Sequence, residues 1–401
     1  MKKKIKSCRI CKSKSLVKII DLKDQPPANS LHKLQEKIKK FPLVVLFCKK
    51  CNTSQLSVTL DPKYLFKKYF WVTATSSTAK NHSLYFFKKI SKYISTKSNI
   101  IEIASNDGTF LNPFLKNGHN VLGIDPATNI ARLANSKGIR TIAEFFNFNL
   151  SNKLKRKFKD NKIIFARNVI PHVSNIHSVV KGISNLSSIN SVVAIEFHYS
   201  KDIILDLQYD SIYHEHIFYF TIKTISSLFE KYDLYAFDVF KSPISGGSLV
   251  LLFSKNKQKK SVLLKKMEKD EKKLSINSLN KWKIFGKKSL SHANNFRNEV
   301  LKNLSEKKKI FGYGASARSS TLLNFCNLDN SKINFIIDQN PLKQNLYTPG
   351  TNIPIYSFKK SQKKIKNMNM VLLAWNFKNE IIRYMKRKNF KNKIIIPLKK
   401  K

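Results

Sequence analysis

Acidic side chains are scarce in this 401-residue chain: 25 Asp and Glu face 75 Lys and Arg, a formal charge of +50. Such an imbalance ordinarily points to a polyanionic partner. Arginine is scarce too, with nine residues against 66 lysines. The lysines are spread along the whole chain, and Asn and Ile are abundant beside them. That pattern reads as AT-rich compositional bias rather than as a phosphate-binding face. The charge still predicts adhesion to anionic surfaces at low salt.

Other absences exclude whole classes. No apolar run approaches the ~18 residues that span a bilayer. The basic start, MKKKIKSCRICKSK, has no apolar stretch behind it, so a cytoplasmic location is expected. Five cysteines in a chain this long make no disulfide scaffold. Collagen triplets, heptads and short repeats are missing. The length and a hydrophobic fraction of 42% predict two or three domains with sizeable cores.

Four of the five cysteines fall in the loop-rich first ~75 residues, as Cys8-x2-Cys11 and Cys48-x2-Cys51. Each pair can hold one side of a tetrahedral ion through its thiolates, which predicts one structural zinc with no open position. A redox role fits less well, because redox CxxC pairs sit in a βαβ context. Cys326 reads as a buried thiol on a helix.

From about residue 80 the pattern turns to alternating strands and helices. Strands are expected at 99–105, 120–125, 162–168 and 191–197, with helices at 108–115 and 129–139, the second closed by Gly138. This rhythm predicts a mostly parallel sheet covered on both faces, ending in a β-rich tail at 246–255. Residues 256–308 are charged, poor in glycine and helical in pattern. A second strand–glycine loop–helix unit opens at 309–326, with strands at 333–338 and 370–375. The expected divisions are therefore a zinc-binding module (1–78), a central α/β domain (79–255), a helical connection (256–308) and a smaller Rossmann-like α/β domain (309–401).

Three motifs carry chemistry. Glu102-Ile-Ala-Ser-Asn-Asp-Gly108 follows the first central strand, and Asp125 ends the second. This is the layout of the first loop of a methyltransferase using S-adenosylmethionine, although Ala104 replaces a glycine. Tyr213-His214-Glu215-His216 is the densest polar cluster. It lacks the H-E-x-x-H spacing of a zinc protease, but a His beside a carboxylate and a Tyr suits a general base. It is expected at a strand–helix junction. Gly312-x-Gly314 opens a helix, with Asp338 ending the next strand. That is half of a dinucleotide fingerprint, its third glycine missing. The helix start could receive a phosphate, with Arg318 as a bidentate partner.

Taken in order, these pieces resemble the three-domain sugar C-methyltransferases, which act on nucleotide-linked 4-keto-deoxysugars. The resemblance covers nearly the whole chain. It rests on the CxxC pairs, Gln25-Pro-Pro-Ala-Asn29, EIASNDGTFL (102–111), GIDPATNIA (123–131) and NVIPHV (168–173). It continues through DSIYHEHIFYF (210–220), SGGSLVLL (245–252), GYGASARSSTLLNFC (312–326), IIDQNPLKQNLYTPGTNIPI (336–355) and LLAWNF (372–377). It implies an α/β chain with a zinc-binding N-terminal domain, a central class I S-adenosylmethionine domain and a C-terminal Rossmann-like domain. The nucleotide-sugar would lie between the last two.

The resemblance also implies roles. His216 would be the base, Tyr213 would polarise the keto oxygen and Glu215 would orient the sugar or a histidine; His214 reads as structural. Glu102, Asn106, Gly108, Asp125 and Asn168 would hold S-adenosylmethionine. Tyr69 and Trp71, in KYFWVTATS (68–76), would line the sugar pocket, with Gly314 and Arg318 on the nucleotide side. Cys8, Cys11, Cys48 and Cys51 would hold the zinc. No specific nucleic acid or membrane is implied, and nothing demands an oligomer. Two segments depart from the family: Arg318-Ser319-Ser320 stands where Lys-Gly-Asn is common, and EFHYS (196–200) replaces a Pro-Tyr-Leu type of segment. The competing readings are a nicotinamide-dependent sugar oxidoreductase, from GYG and Asp338, and a zinc-dependent nucleic-acid binder, from charge and CxxC pairs.

Overall fold

The computed structural model describes residues 2–34, 36, 38–66, 72–94, 97–158 and 162–398. At the N-terminus, β1 (Lys2–Lys4), β2 (Leu16–Gln25), β3 (Phe41–Cys48), β4 (Ser54–Leu56) and β5 (Val58–Leu60) are antiparallel. The alternation of buried and half-buried residues along β3 is that of a sheet with one core face.

The central sheet contains β6 (Asn99–Ile103), β7 (Asn120–Ile124), β8 (Thr141–Ile142), β9 (Lys162–Arg167) and β10 (Val192–His198). After β11 (Phe218–Tyr219) it is completed by β12 (Tyr235–Ser242) and β13 (Ser248–Ser254). The order is β12-β13-β10-β9-β6-β7-β8, parallel except for β13, which runs antiparallel to both neighbours. Ile101 and Ile103 pack on one face with helices 148–157, 176–186 and 222–230; Ile100 packs on the other with Phe86, Phe110 and Phe114. Glu102 alternates onto the phenylalanine side and is fully buried there. The chain runs from β6 outward to β8, then crosses to β9. The crevice beyond the ends of β6 and β9 is thus the switch point where open α/β sheets bind ligands.

β11 does not join this sheet. It pairs antiparallel with β4, giving the N-terminal sheet the order β11-β4-β3-β2. Helices 262–273 and 279–305 follow. The second lies so close to the N-terminal sheet that a Cβ on Gly286 would collide with the Ile19 carbonyl. The last domain has five parallel strands: β14 (Lys309–Tyr313), β15 (Ile336–Ile337), β16 (Ile355–Tyr356), β17 (Met368–Val371) and β18 (Ile394–Ile395), in order β16-β15-β14-β17-β18. Trp282, Phe285 and Phe296 of the long helix bind this domain and the N-terminal sheet into one core.

Two local expectations need correction. The helix anticipated at 108–115 begins only at Asn112, because Ser105–Leu111 is spent on tight turns. The YHEH cluster lies in a turn between a 3₁₀ turn at 209–211 and β11, not at a strand–helix junction. Gly138, at φ +77, does follow the helix ending at Ser136.

Candidate active site and metal centre

The first loop is shaped by backbone that few residues accept. Ala104, Asn106 and Gly108 have φ of +58, +50 and +75, and Asn tolerates this region better than Ala. Asp125 braces the loop: its carboxylate accepts the Asn106 N–H at 2.9 Å and the Ala127 N–H at 2.9 Å. Burial pushes the Asp125 carboxyl up, against those two bonds. Asn106 Oδ1 accepts both the N–H and the hydroxyl of Thr73. The segment after residue 71 therefore lies across the loop.

Glu102 Oε1 accepts Arg167 Nε at 2.9 Å, while Glu102 Oε2 is buried without a partner. Burial pushes this carboxyl up to about 8. Ser105 Oγ is likewise buried and unpartnered. Unsatisfied buried polar atoms are costly, and here both belong to the strand end and loop at the switch point. A cradle with open hydrogen-bonding capacity fits a polar cofactor such as S-adenosylmethionine. Asn168, at the end of β9 with φ +50, donates to Glu196 from its backbone and its side chain.

Tyr213 and His216 face each other with Oη and Nε2 2.7 Å apart. His216 Nδ1 lies 2.7 Å from the Ser211 carbonyl, which can only accept. The proton therefore sits on Nδ1, and Nε2 presents its lone pair to the Tyr213 hydroxyl. Burial, with His172 and His198 nearby, holds His216 well below its ordinary pKa. A neutral imidazole is thus the resting state. The His172 ring meets it edge-on at 4.8 Å.

The turn carrying these groups is clasped from both sides. Asn29, in the QPPAN motif, donates to Glu215 at 2.7 Å. Burial pushes Glu215 up to about 7 against that bond. His214 Nε2 meets the Phe41 carbonyl, as its structural reading expects, and Ile217 accepts the Leu56 N–H. From the C-terminal domain, Thr321 donates to the Ile212 carbonyl. Arg318 forks onto Asp210 at 2.7 and 3.0 Å, reaches Gln208, and stacks over Trp375, whose Nε1 also donates to Asp210. The phosphate expected for Arg318 therefore meets a fork already engaged. Gly314, at φ +98, packs so tightly that a Cβ would strike Ala374. Tyr69 and Trp71 lie outside the described residues.

The four sulfurs of Cys8, Cys11, Cys48 and Cys51 lie within 4.8 Å of one another. Cys8–Cys51 and Cys11–Cys48 are 3.6 and 3.5 Å apart. Tetrahedral zinc with thiolates at ~2.3 Å needs sulfur separations of about 3.8 Å, so the donor set fits. The two knuckles share one geometry. Lys12 and Asn52 follow them at φ +62 and +60, and each donates to the first Cys carbonyl of its pair. Gln55 and the Ile10 N–H donate to Cys8 Sγ. His177 of the central domain holds the Arg9 and Ile10 carbonyls. Cys326 is buried on its helix's end, 3.7 Å from Tyr209 Oη.

Sequence reasoning assigned no role to His172, His198, Asp210 or Glu196. NVIPHV and EFHYS had been singled out as segments, but only the sheet brings their histidines beside His216.

Three family models match in order: "Putative zinc binding domain" over 8–66, "Methyltransferase domain" over 81–238 and "C-methyltransferase C-terminal domain" over 243–398. The chain is 28% identical to C-methyltransferase NovU of Streptomyces niveus over 385 residues, covering 94% of this chain and 91% of that protein. Among solved structures, magnesium protoporphyrin IX methyltransferase of Synechocystis PCC 6803 with bound S-adenosylmethionine is 10% identical. It covers 49% of this chain and 99% of its own, at a TM-score of 0.37. An S-adenosylmethionine-dependent methyltransferase of Archaeoglobus fulgidus is 11% identical over 48% of this chain and 100% of its own, at 0.36. No helix among the described residues is long and apolar enough to cross a membrane. With the zinc-binding, methyltransferase and C-methyltransferase C-terminal models all matched in sequence, the chain belongs to the three-domain S-adenosylmethionine-dependent C-methyltransferases.

Proposed function

We propose that the enzyme methylates the carbon next to the ketone of a nucleotide-linked keto-deoxysugar. The observation that carries this is the His216–Tyr213 pair: a neutral, half-buried imidazole whose lone pair is capped by a phenol. An α-proton of a ketone needs such a base, and the developing enolate oxygen needs such a donor. When a substrate carbonyl takes the Tyr213 hydrogen bond, Nε2 of His216 is freed to accept the α-proton. The electron pair moves onto the carbonyl oxygen, held by the Tyr213 O–H. Bound S-adenosylmethionine supplies the electrophilic methyl that the enolate carbon takes in line.

Glu102, Asn106, Gly108, Asp125 and Asn168 form the cofactor side. Glu215, held by Asn29, orients the sugar. The nucleotide-sugar sits between the central and C-terminal domains, with Gly314 and Arg318 at its border and Tyr69 and Trp71 assigned to the sugar side. Cys8, Cys11, Cys48 and Cys51 hold one structural zinc, which supplies folding energy rather than chemistry. The relation to the C-methyltransferase NovU supports methyl transfer to carbon.

The test is solvent deuterium exchange at the α-carbon of nucleotide-linked 4-keto-deoxysugars, with S-adenosylhomocysteine in place of the methyl donor. The wild type should exchange, and His216→Asn should lose the activity by at least ~100-fold. Exchange unchanged in His216→Asn would remove the base assignment.

A further inference from the structure

The third histidine of the cluster is not needed by the chemistry above. His198 ends β10, and only 8% of it is exposed. Its ring centre lies 6.4 Å from that of His216. Its hydrogen-bonding pattern is fixed by its neighbour. Gln208 Nε2 donates to Asp206 and to the Gly246 carbonyl, so Gln208 Oε1 is the atom facing His198 Nε2 at 3.0 Å. Arg318 Nη2 donates to that same Oε1. An oxygen receiving Arg318 accepts, so Nε2 of His198 must donate and its proton is located there. The lone pair is left on Nδ1. That atom has no hydrogen-bond partner among the described residues and is not among the atoms sealed from solvent.

We propose, resting on the keto-sugar reading, that His198 Nδ1 is a specificity-determining acceptor for an O–H or N–H substituent on the sugar ring, close to the carbon that loses its proton. An acceptor on a mostly buried ring, tied down on one side and open on the other, is available to a donor that enters the site and displaces water. Burial first, and then the Arg318 charge, hold this histidine down to about 3, so it remains an acceptor throughout the physiological range. A substrate lacking the donor would leave Nδ1 unpaired, and sites built to bond a hydroxyl discriminate strongly against its absence.

The experiment uses two nucleoside-diphosphate-linked 4-keto-6-deoxysugars, identical except that one carries a ring hydroxyl beside the reacting carbon and the other hydrogen. The wild type should favour the hydroxylated compound by about 10- to 100-fold in kcat/KM. His198→Asn places an amide oxygen near the Nδ1 position and should keep the preference. His198→Gln keeps a donor toward Gln208 but deletes that acceptor, and should shrink the preference to within about 3-fold. The reverse pattern, with Gln keeping and Asn losing it, would mean that His198 acts only through Gln208 and Arg318 and would overturn the proposal. Equal turnover of the two compounds by the wild type would overturn it without any variant. If the wild type binds S-adenosylhomocysteine yet methylates neither sugar, the keto-sugar reading falls, and this proposal with it.

Discussion

The central and C-terminal α/β domains are built on the same device and put it to different use. In each, a carboxylate at the end of the second strand accepts the first loop's N–H and the N–H two residues ahead of itself. Asp125 does so for Asn106 and Ala127, and Asp338 does so for Ala315 and Asn340. In the central domain the braced loop leaves Glu102 Oε2 and Ser105 Oγ buried and unsatisfied. In the C-terminal domain, Ser316 and Ser319 cap one another, Gly314 is packed on Ala374, and Trp375 and Arg318 reach out to Asp210. One switch point has been left with bonding capacity to receive a ligand. The other has spent its capacity on docking. Equivalent scaffolds are therefore distinguished by which polar atoms remain unpaid, not by strand order.

The largest test of this contrast is removal of the metal. Chelation should release about one zinc per chain and unfold the N-terminal module, since structural zinc is coupled to folding. Hydrogen exchange should rise along 213–219, which is paired to that module, while 312–320 stays protected. Next, Arg318→Ala should cost about 3–5 kcal/mol by stranding the buried Asp210; only 11% and 1% of the two side chains are exposed. Denaturant titration would measure it. Arg318→Lys should recover part of the loss but not the fork.

A finer test pairs Asp125→Asn with Asp338→Asn. Each should cost roughly 1–3 kcal/mol of stability. Only the first should weaken S-adenosylhomocysteine, by about tenfold or more in calorimetric titration. Equal effects on that affinity would erase the distinction between the domains.

The smallest effect is in pH. Burial holds His172 and His214 down to about 4 and His198 to about 3. The unfolded chain would protonate them near 6.5, so it binds more protons and stability falls as pH drops below about 6.5. Glu215, raised to about 7, and Glu102, raised to about 8, oppose this: each loses its stabilising contribution as pH climbs from the ordinary carboxyl range through its raised value. Denaturant midpoints at pH 5 and 7 should show the histidines winning. The acid limb of kcat/KM should lie well below pH 6.5, where His216 becomes protonated.

What the sequence made legible was local. The strand at Asn99–Ile103, the loop to Gly108 and the acid at 125 lie within one βαβ unit, and the CxxC pairs declare themselves by spacing. Tyr213 and His216 are three residues apart and meet in one turn. Asp210 and Arg318 are 108 residues apart, and no local pattern marks either as the other's partner. His172 and His198 become neighbours of His216 only once β9 and β10 pair. A two-residue strand such as β11 has no periodicity to detect. The glycine loop of the C-terminal domain reads as a phosphate site because pattern alone does not show that Gly314 packs on Ala374 and that Arg318 is bonded to Asp210.

The pairing of β11 with β4 also sets a timetable for synthesis. Strands β2 to β4 leave the ribosome early, but Phe218 and Tyr219, which cover the edge at Gln55 and Ser54, follow about 160 residues later. At bacterial or eukaryotic elongation speeds that is on the order of ten seconds. Throughout this interval the nascent module carries its metal thiols beside an uncovered strand edge, the kind of edge that recruits other chains. The tetrad gives an early anchor to a sheet that cannot close until the 213–216 turn itself has been made.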